Sequence, residues 1–267
     1  MTTQAASFVV LKPHGTPFSV HSYFMGQILI STCQRLGVKL RITSRLEDAK
    51  PDVVIEDRTE KQIVVGDCLN GQVRSISKQK VCDLHKKHFG FYIDLDPRQH
   101  VGLAMEKKVQ NAGAEYNVVT CPREPRNGYV YQHILGGPVT QRYRIEYQLH
   151  YFCGQLHLQE LHMMMVPNSV DGHRAKKLKW PIVPVSTIYK TPEELAKLHA
   201  FLEEFGVDWA RVDILVDERG RPVILDVNDT ASAASVFIKD MIPYALPHME
   251  QYVTQTLRRK QTGPLGT

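Results

Sequence analysis

The sequence predicts a mixed α+β and α/β fold, with a small N-terminal α/β unit followed by a longer, two-lobed, strand-rich region. Three observations carry this reading. Residues 1–57 read as strand, helix, strand, strand, the opening of a small domain with a parallel sheet. Between 91 and 166 the apolar period changes to two, and Gly, Pro and Asn part the successive segments. Beyond residue 190 a strongly signalled helix precedes a two-stranded hairpin and a last helical stretch.

Taken in order, "SFVVLK" (7–12) is a β-branched run closed by the turn cluster "PHGTP". In "VHSYFMGQILISTCQRLG", Tyr23, Phe24, Ile28, Leu29, Cys33 and Leu36 fall at helical spacing, and Gly37 ends the pattern. "VKLRIT" alternates as a strand, and "PDVVIED" reads as a short buried one. "KQIVVGD" predicts a further strand, Asn70-Gly71 a turn, and Ser77 and Gly90 the two ends of a helix. "FYIDLDP", "GLAMEKKV", "YNVVTCP", "YVYQHIL", "RYRIEYQLHYFCG" and "QLHLQELHMMMV" read as successive strands. Residues 167–190 lack periodicity and read as a long loop. In "TPEELAKLHAFLEEFG", Thr191 and Glu194 form a capping-box pattern, with Pro192 at the first helical position and Gly206 as terminator. Two strands then fold back around "DERG". Pro243 and Pro247 are expected to kink or break the helical stretch 231–258, and "QTGPLGT" (261–267) reads as a frayed tail.

Composition sets the outer bounds. In 267 residues, 43% apolar and 23% charged side chains supply an ordinary core and argue against global disorder. A net charge of +5, with 12 His uncounted, suits an anionic ligand such as a nucleotide phosphate but is no nucleic-acid signature. The five cysteines show no C-x-x-C spacing, so neither a disulfide framework nor a structural zinc site is expected; each reads as a small buried residue. "MTTQAASFVV" does not resemble a secretory signal, and no apolar run approaches the ~18 residues of a membrane span. The expectation is a cytoplasmic, reducing setting with no membrane partner.

The hairpin carries the chemistry. In "RVDILVD", Arg211, Asp213 and Leu215 share one face; in "PVILDVN", Ile224, Asp226 and Asn228 share one. Pairing through the Gly220 turn brings Asp213 beside Asp226 and Asn228. Two carboxylates on a half-buried face are costly unless something positive lies between them. Arg211 is one candidate, in an Arg–Asp ion pair, while Asn228 caps the strand end or the next helix. A divalent cation is the other: Mg²⁺ takes hard oxygen ligands, commonly one or two carboxylates completed by phosphate and water.

A strand bearing an acid, a Gly turn, then a strand ending acid-x-Asn before the small residues "DTASAAS" resembles the metal-binding end of the ATP-grasp superfamily. Asp226-Val227-Asn228 stands where that family usually has Glu-x-Asn. The resemblance extends in order over about 60–240 and divides the chain into an N-terminal unit (1–76) and ATP-grasp lobes (77–260). The lobes split into a nucleotide lobe at about 77–135 and a metal lobe at 136–260. It implies ATP and Mg²⁺ (or Mn²⁺) as cofactors, with Asp213, Asp226 and Asn228 as the metal set. It implies Lys78, with Lys80 as alternative, and Lys108, with Lys107 as alternative, as phosphate ligands. The loop 111–113 would cover the phosphates, Gln132 and the backbone about Ile134 would meet the adenine edge, and Arg144 and Arg211 would act on the transferring phosphoryl group. Arg142 stands where the family often has Asp. The activity implied is ligation of a small-molecule or peptide carboxylate to an amine through an acyl phosphate. A kinase of the same fold and a catalytically silent nucleotide-binding module are the alternatives, and a homodimer is left open.

Three other stretches concentrate His or basic side chains. In "HLQELH" (157–162), His157 faces away from Glu160 and His162, and the spacing is not that of a zinc protease. "HRAKKLKW" (173–180) reads as a solvated basic face or a substrate loop, and "DLHKKHFG" places His85 and His88 on a surface helix face.

Overall fold

The computed structural model describes residues 7–13, 19–48, 50–56, 58–62, 64–110, 116–135, 143–164, 176–179, 181–231 and 238–262. The N-terminal unit forms as the pattern predicts. Strands β1 (Ser7–Leu11), β2 (Lys39–Thr43) and β3 (Val53–Val54) make a parallel sheet in the order β2-β1-β3, with helix α1 (Phe24–Arg35) between the first two in sequence. The strand expected at "KQIVVGD" is absent from the described residues there. Asp67 and Asn70 take φ of 59° and 57°, and a Cβ on Gly71 would lie 2.1 Å from the Val65 carbonyl oxygen. That tight loop replaces a strand, and its ladder pairing is limited to two isolated bridges, Val53 to Leu69 and Glu60 to Ser75.

Asn70 is the joint of this loop. Its Oδ1 accepts the Asp208 and Trp209 amides at 2.8 and 2.9 Å, and its Nδ2 donates to the Trp209 carbonyl at 2.8 Å. The loop is thereby fastened to the strand that carries Arg211 and Asp213. Asn70→Ala removes three buried bonds and leaves a Cβ residue in the left-handed region without the local bonding that Asn offers. A loss of about 2–4 kcal/mol is expected in urea unfolding. An unchanged midpoint would mean the joint is redundant.

Helix α2 (Lys78–Phe89) begins where expected, with Ser77 Oγ accepting the Lys80 amide at 3.2 Å, and stops at left-handed Gly90. The strand expected over 91–97 does not form; only an isolated bridge from Asp94 to Gln132 is made. Strands β4 (Gly102–Lys108), β5 (Tyr116–Cys121) and β6 (Tyr129–Gln132) build a small antiparallel sheet in the order β5-β4-β6. Strands β7 (Tyr143–Phe152) and β8 (Gln155–Met164) open a larger sheet. Two short strands, β9 (Lys176–Lys179) and β10 (Ile182–Val183), pair with β8, so part of the stretch read as a loop extends this sheet. Helix α3 (Pro192–Phe205) carries the full Thr191–Glu194 capping box. Strands β11 (Trp209–Val216) and β12 (Pro222–Asn228) complete the order β10-β8-β7-β11-β12.

Helix α4 (Ile238–Thr262) runs through both prolines, against expectation. Each proline removes one rung, the amides that would bond the Lys239 and Pro243 carbonyls, so the helix loses two on one side. Both prolines are exposed, where water satisfies the freed carbonyls. The opposite stripe, Met241, Ala245, Met249 and Val253, is fully buried and holds the helix in place.

Two cores result. One face of the large sheet (Leu149, Leu158, Val212, Ile214, Ile224, Val227) packs on α2 and α3. At one end of the other face, Phe152 and Trp209 pack with β1, α1 and α4, so the N-terminal unit and the last helix share a core. His85 is 0% exposed rather than on the surface, stacked on Phe89 and edge-on to Phe91, and burial holds its imidazole neutral with its pKa lowered to about 4. The cysteines are buried as expected except Cys153, which lies exposed at the β7–β8 turn. No described helix is long and apolar enough to cross a membrane.

Candidate active site

The face of the large sheet opposite α2 and α3 is polar where it continues past Phe152 and Trp209. In an antiparallel register, directly opposed residues project to the same side. Asp226 opposes Asp213, which opposes Gln148, which opposes Gln159; one step along, Asn228 opposes Arg211, then His150, then His157. The hairpin therefore brings Asp213, Asp226, Asn228 and Arg211 together. A bulge follows at once, because Ile214 opposes Ile224 rather than Leu225. This leaves Leu225 as the extra residue and restores the apolar face beyond it.

Within the cluster, Arg211 Nε lies 3.3 Å from Asp213 Oδ1, and Gln148 Nε2 donates to the same oxygen at 3.1 Å. The ion pair weighed as the alternative to a metal thus exists, but it engages Asp213 and not Asp226. Asp226 Oδ1 accepts the Val227 amide at 3.1 Å, and its Oδ2 accepts from Asn228 Nδ2 at 3.5 Å. Burial pushes the Asp226 carboxyl up to about 6; Asp213 adds to the rise, while Lys78, Arg211 and Lys107 oppose it. Next to Arg211, His150 is 1% exposed and held neutral with a pKa of about 3, by burial first and by the guanidinium second.

Lys78 opens α2 and is buried; its amide donates to the Val109 carbonyl at 2.9 Å and its Nζ to the Gln110 carbonyl at 3.0 Å. It therefore sits between the end of β4 and the acids on β12. Lys80 turns elsewhere, donating to the Phe205 carbonyl at 3.0 Å with its Nζ over the Phe205 ring. On β4 the two lysines occupy opposite faces. Lys107 shares a side with Met105, whose partner Gln132 points to α2, and its charge acts on both Cys82 and Asp226. Lys108 shares a side with Glu106, which is buried by Tyr131 (2.7 Å) and Arg126 (2.9 Å). Of the two, Lys107 is the one whose charge acts on Asp226.

Gln132 needs correction as an adenine contact. Its side chain is 1% exposed, and Nε2 donates to the Cys82 sulfur at 3.3 Å. Ile134 follows β6 as half-buried, irregular backbone. Arg144 lies on β7 opposite Met163; its side chain, the loop 111–113, Arg142, 173–175 and Trp180 fall outside the described residues. In "HLQELH", Glu160 and His162 share a face as read, 2.6 Å apart, and His157 turns to His248 at 3.3 Å.

Sequence reasoning missed Gln148 and His150. The alternation of Glu146, Gln148 and His150 with Ile145, Tyr147, Leu149 and Tyr151 is visible in the sequence and marks a polar strand face. It also missed Lys61, which pairs with buried Asp229 across 168 positions and has no local signature.

Among the described residues no three His, Cys, Asp or Glu side chains converge as a ready-made metal cage. The donor set here is two carboxylates and one amide, which fits a hard dication whose remaining ligands come from nucleotide phosphate and water. It does not fit a dedicated all-protein site.

No family model matches the chain, and no curated protein matches it. Solved structures do. D-alanine–D-alanine ligase from Bacillus anthracis is similar over 97% of this chain and 100% of that one, with TM-score 0.58 and 14% identity. The ATP-grasp ligase PsnB, complexed with a phosphomimetic variant of its minimal precursor, Mg and ADP, is similar over 94% and 99%, with TM-score 0.58 and 13% identity. D-cycloserine synthetase DcsG is similar over 94% and 100%, with TM-score 0.56 and 12% identity. With a small N-terminal α/β unit, a β-rich lobe and a larger lobe ending in an acid-bearing hairpin, the chain has the ATP-grasp fold.

Proposed function

We propose that the protein is an Mg·ATP-dependent ligase that joins a carboxylate to an amine. The observation that carries this reading is the opposed pair Asp213–Asp226, flanked by Lys78, Lys107 and Arg211, with burial raising the Asp226 pKa. A carboxylate held where ionisation is unfavourable, and ringed by cations, suits a cation–polyphosphate ligand better than a purely structural pair. The fold neighbours add weight, being ligases, one of them complexed with Mg and ADP.

In this reading Asp213, Asp226 and Asn228 would hold Mg²⁺ (Mn²⁺ would serve), which would offset the charge of the nucleotide's phosphates. Lys78 from the start of α2 and Lys107 from β4 would neutralise the same phosphates. Arg211, steadied by Asp213 and beside the neutral His150, presents its guanidinium to the phosphoryl group in transfer. Arg144 is retained as a second phosphoryl contact, and the backbone at Ile134 as the adenine contact. The acceptor carboxylate would attack the γ-phosphorus, releasing ADP, and an amine would displace phosphate from the acyl phosphate. The acceptors proposed are small amino acids or peptides, and the setting cytoplasmic.

Thermal unfolding with a non-hydrolysable ATP analogue tests the first half. With Mg²⁺ present at about 100 times the dissociation constant, stabilisation is ~2.7 kcal/mol, or roughly 5–10 °C. No shift with Mg²⁺ and analogue would remove the nucleotide reading. A shift with no carboxylate–amine pair raising ADP release would favour the kinase or the silent module.

A further inference from the structure

The end of β12 is fastened to the N-terminal unit by a buried ion pair. Lys61 Nζ lies 2.9 and 3.1 Å from the two carboxylate oxygens of Asp229, with side chains only 3% and 4% exposed. The same ammonium donates to the Glu56 carbonyl, and the Lys61 amide donates to the Arg74 carbonyl at 2.8 Å. Glu56 is itself 1% exposed, and its Oε1 accepts the Gln62 amide at 3.3 Å. Lys61 is thus held on its own side before it reaches Asp229.

Asp229 directly follows Asn228, the last residue of β12. Burying two charges is expensive, and apolar residues of like volume often serve stability as well or better. Stability alone therefore gives little reason for this pair. It does have two local consequences. It fixes the backbone at 228–229, and with it the direction of the Asn228 side chain and the last rungs of the Asp226 strand. It also occupies both oxygens of Asp229, which keeps a third carboxylate from competing with Asp213 and Asp226.

We propose that Lys61 is a positioning residue: an N-terminal latch, acting through Asp229, that sets the metal-binding geometry of Asn228 and Asp226. This rests on the nucleotide–metal reading of the site. Outer residues that orient ligands characteristically govern metal affinity by about 10–100-fold.

The experiment measures Mn²⁺ affinity by the electron paramagnetic resonance signal of free Mn²⁺, with saturating ADP, beside ADP affinity without metal by calorimetry. In Lys61→Met, Mn²⁺ affinity is expected to fall about tenfold or more while metal-free ADP affinity stays as in wild type. Lys61→Arg should recover most of the loss. The double variant Lys61→Met, Asp229→Leu removes both buried charges and so secures a folded protein to measure; its Mn²⁺ affinity is expected to stay low. Wild-type affinity in that folded double variant would overturn the latch while leaving the site reading intact. Absence of Mn²⁺ binding in wild type with ADP would overturn both.

Discussion

Asp226→Asn is expected to abolish Mg·ATP-dependent turnover and, in the same protein, to stabilise the metal-free form above pH 6. Burial sets the Asp226 carboxyl at about 6, and Asp213 reinforces the rise against Lys78, Arg211 and Lys107. An Asp in the unfolded chain titrates near ~3.9. Between those values the folded state binds more protons than the unfolded one, so stability falls as pH rises through that window. The side chain's stabilising neutral form is fully present below the unfolded value, and its advantage is gone above about 6. The ionised carboxylate then costs up to about 3 kcal/mol, less whatever partial exposure screens.

Asn carries no such charge and keeps an oxygen for the Val227 amide. Urea unfolding at pH 8 should therefore show Asp226→Asn above wild type, and at pH 4 the two should converge. Turnover should fall on the order of 10³-fold, because a lost metal ligand forfeits several kcal/mol of charge stabilisation. A variant less stable than wild type at pH 8 would make Asp226 a structural acid, and surviving turnover would remove it from the metal set.

What could be read from the sequence divides by range. Local signals held: Ser77 and Thr191 cap their helices, Gly90 and Gly206 end them, and the β1-α1-β2-β3 order gives a parallel sheet. The hairpin held as well, but not by alternation alone: the register set at the Gly220 turn would oppose Asp213 to Leu225, and the bulge between Asp213 and Ile214 shifts it by one residue to Asp226. The misses came where packing overrides pattern. "KQIVVGD" has strand composition, yet Gly71 is packed too closely for a side chain and the segment folds as a tight loop. α4 tolerates two prolines because its buried stripe outweighs two rungs lost to water. His85 carries a polar label but is packed between Phe89 and Phe91. The side chain of Gln132 turns to Cys82 on α2, because alternation names two faces of a strand without saying which one meets the helix. Lys61 and Asp229 meet only through the tertiary fold.

The same ambiguity of faces sets up the second large effect. Lys107→Met is expected to lower kcat/KM for ATP by about 10²-fold or more, and Lys108→Met by less than about tenfold. Neighbours on a strand point apart, so only one of this pair can serve the phosphates. Lys107 is aligned with Met105 and Gln132 toward α2, and its charge reaches Asp226. Lys108 is aligned with Glu106 and opposes Tyr129, on the side where Arg126 already supplies a cation. A methionine at 107 keeps the length and apolar stem of the lysine and removes only the charge, so folding is little affected. Initial rates of ADP release at varied ATP, with direct binding of a non-hydrolysable analogue, separate the two. If Lys108→Met proved the damaging change, the phosphates would have to lie on the Glu106–Tyr129 side of β4. Asp226 would then be too remote to share a cation with them, and the pairing of β4 with the β11–β12 hairpin as one catalytic cleft would fail.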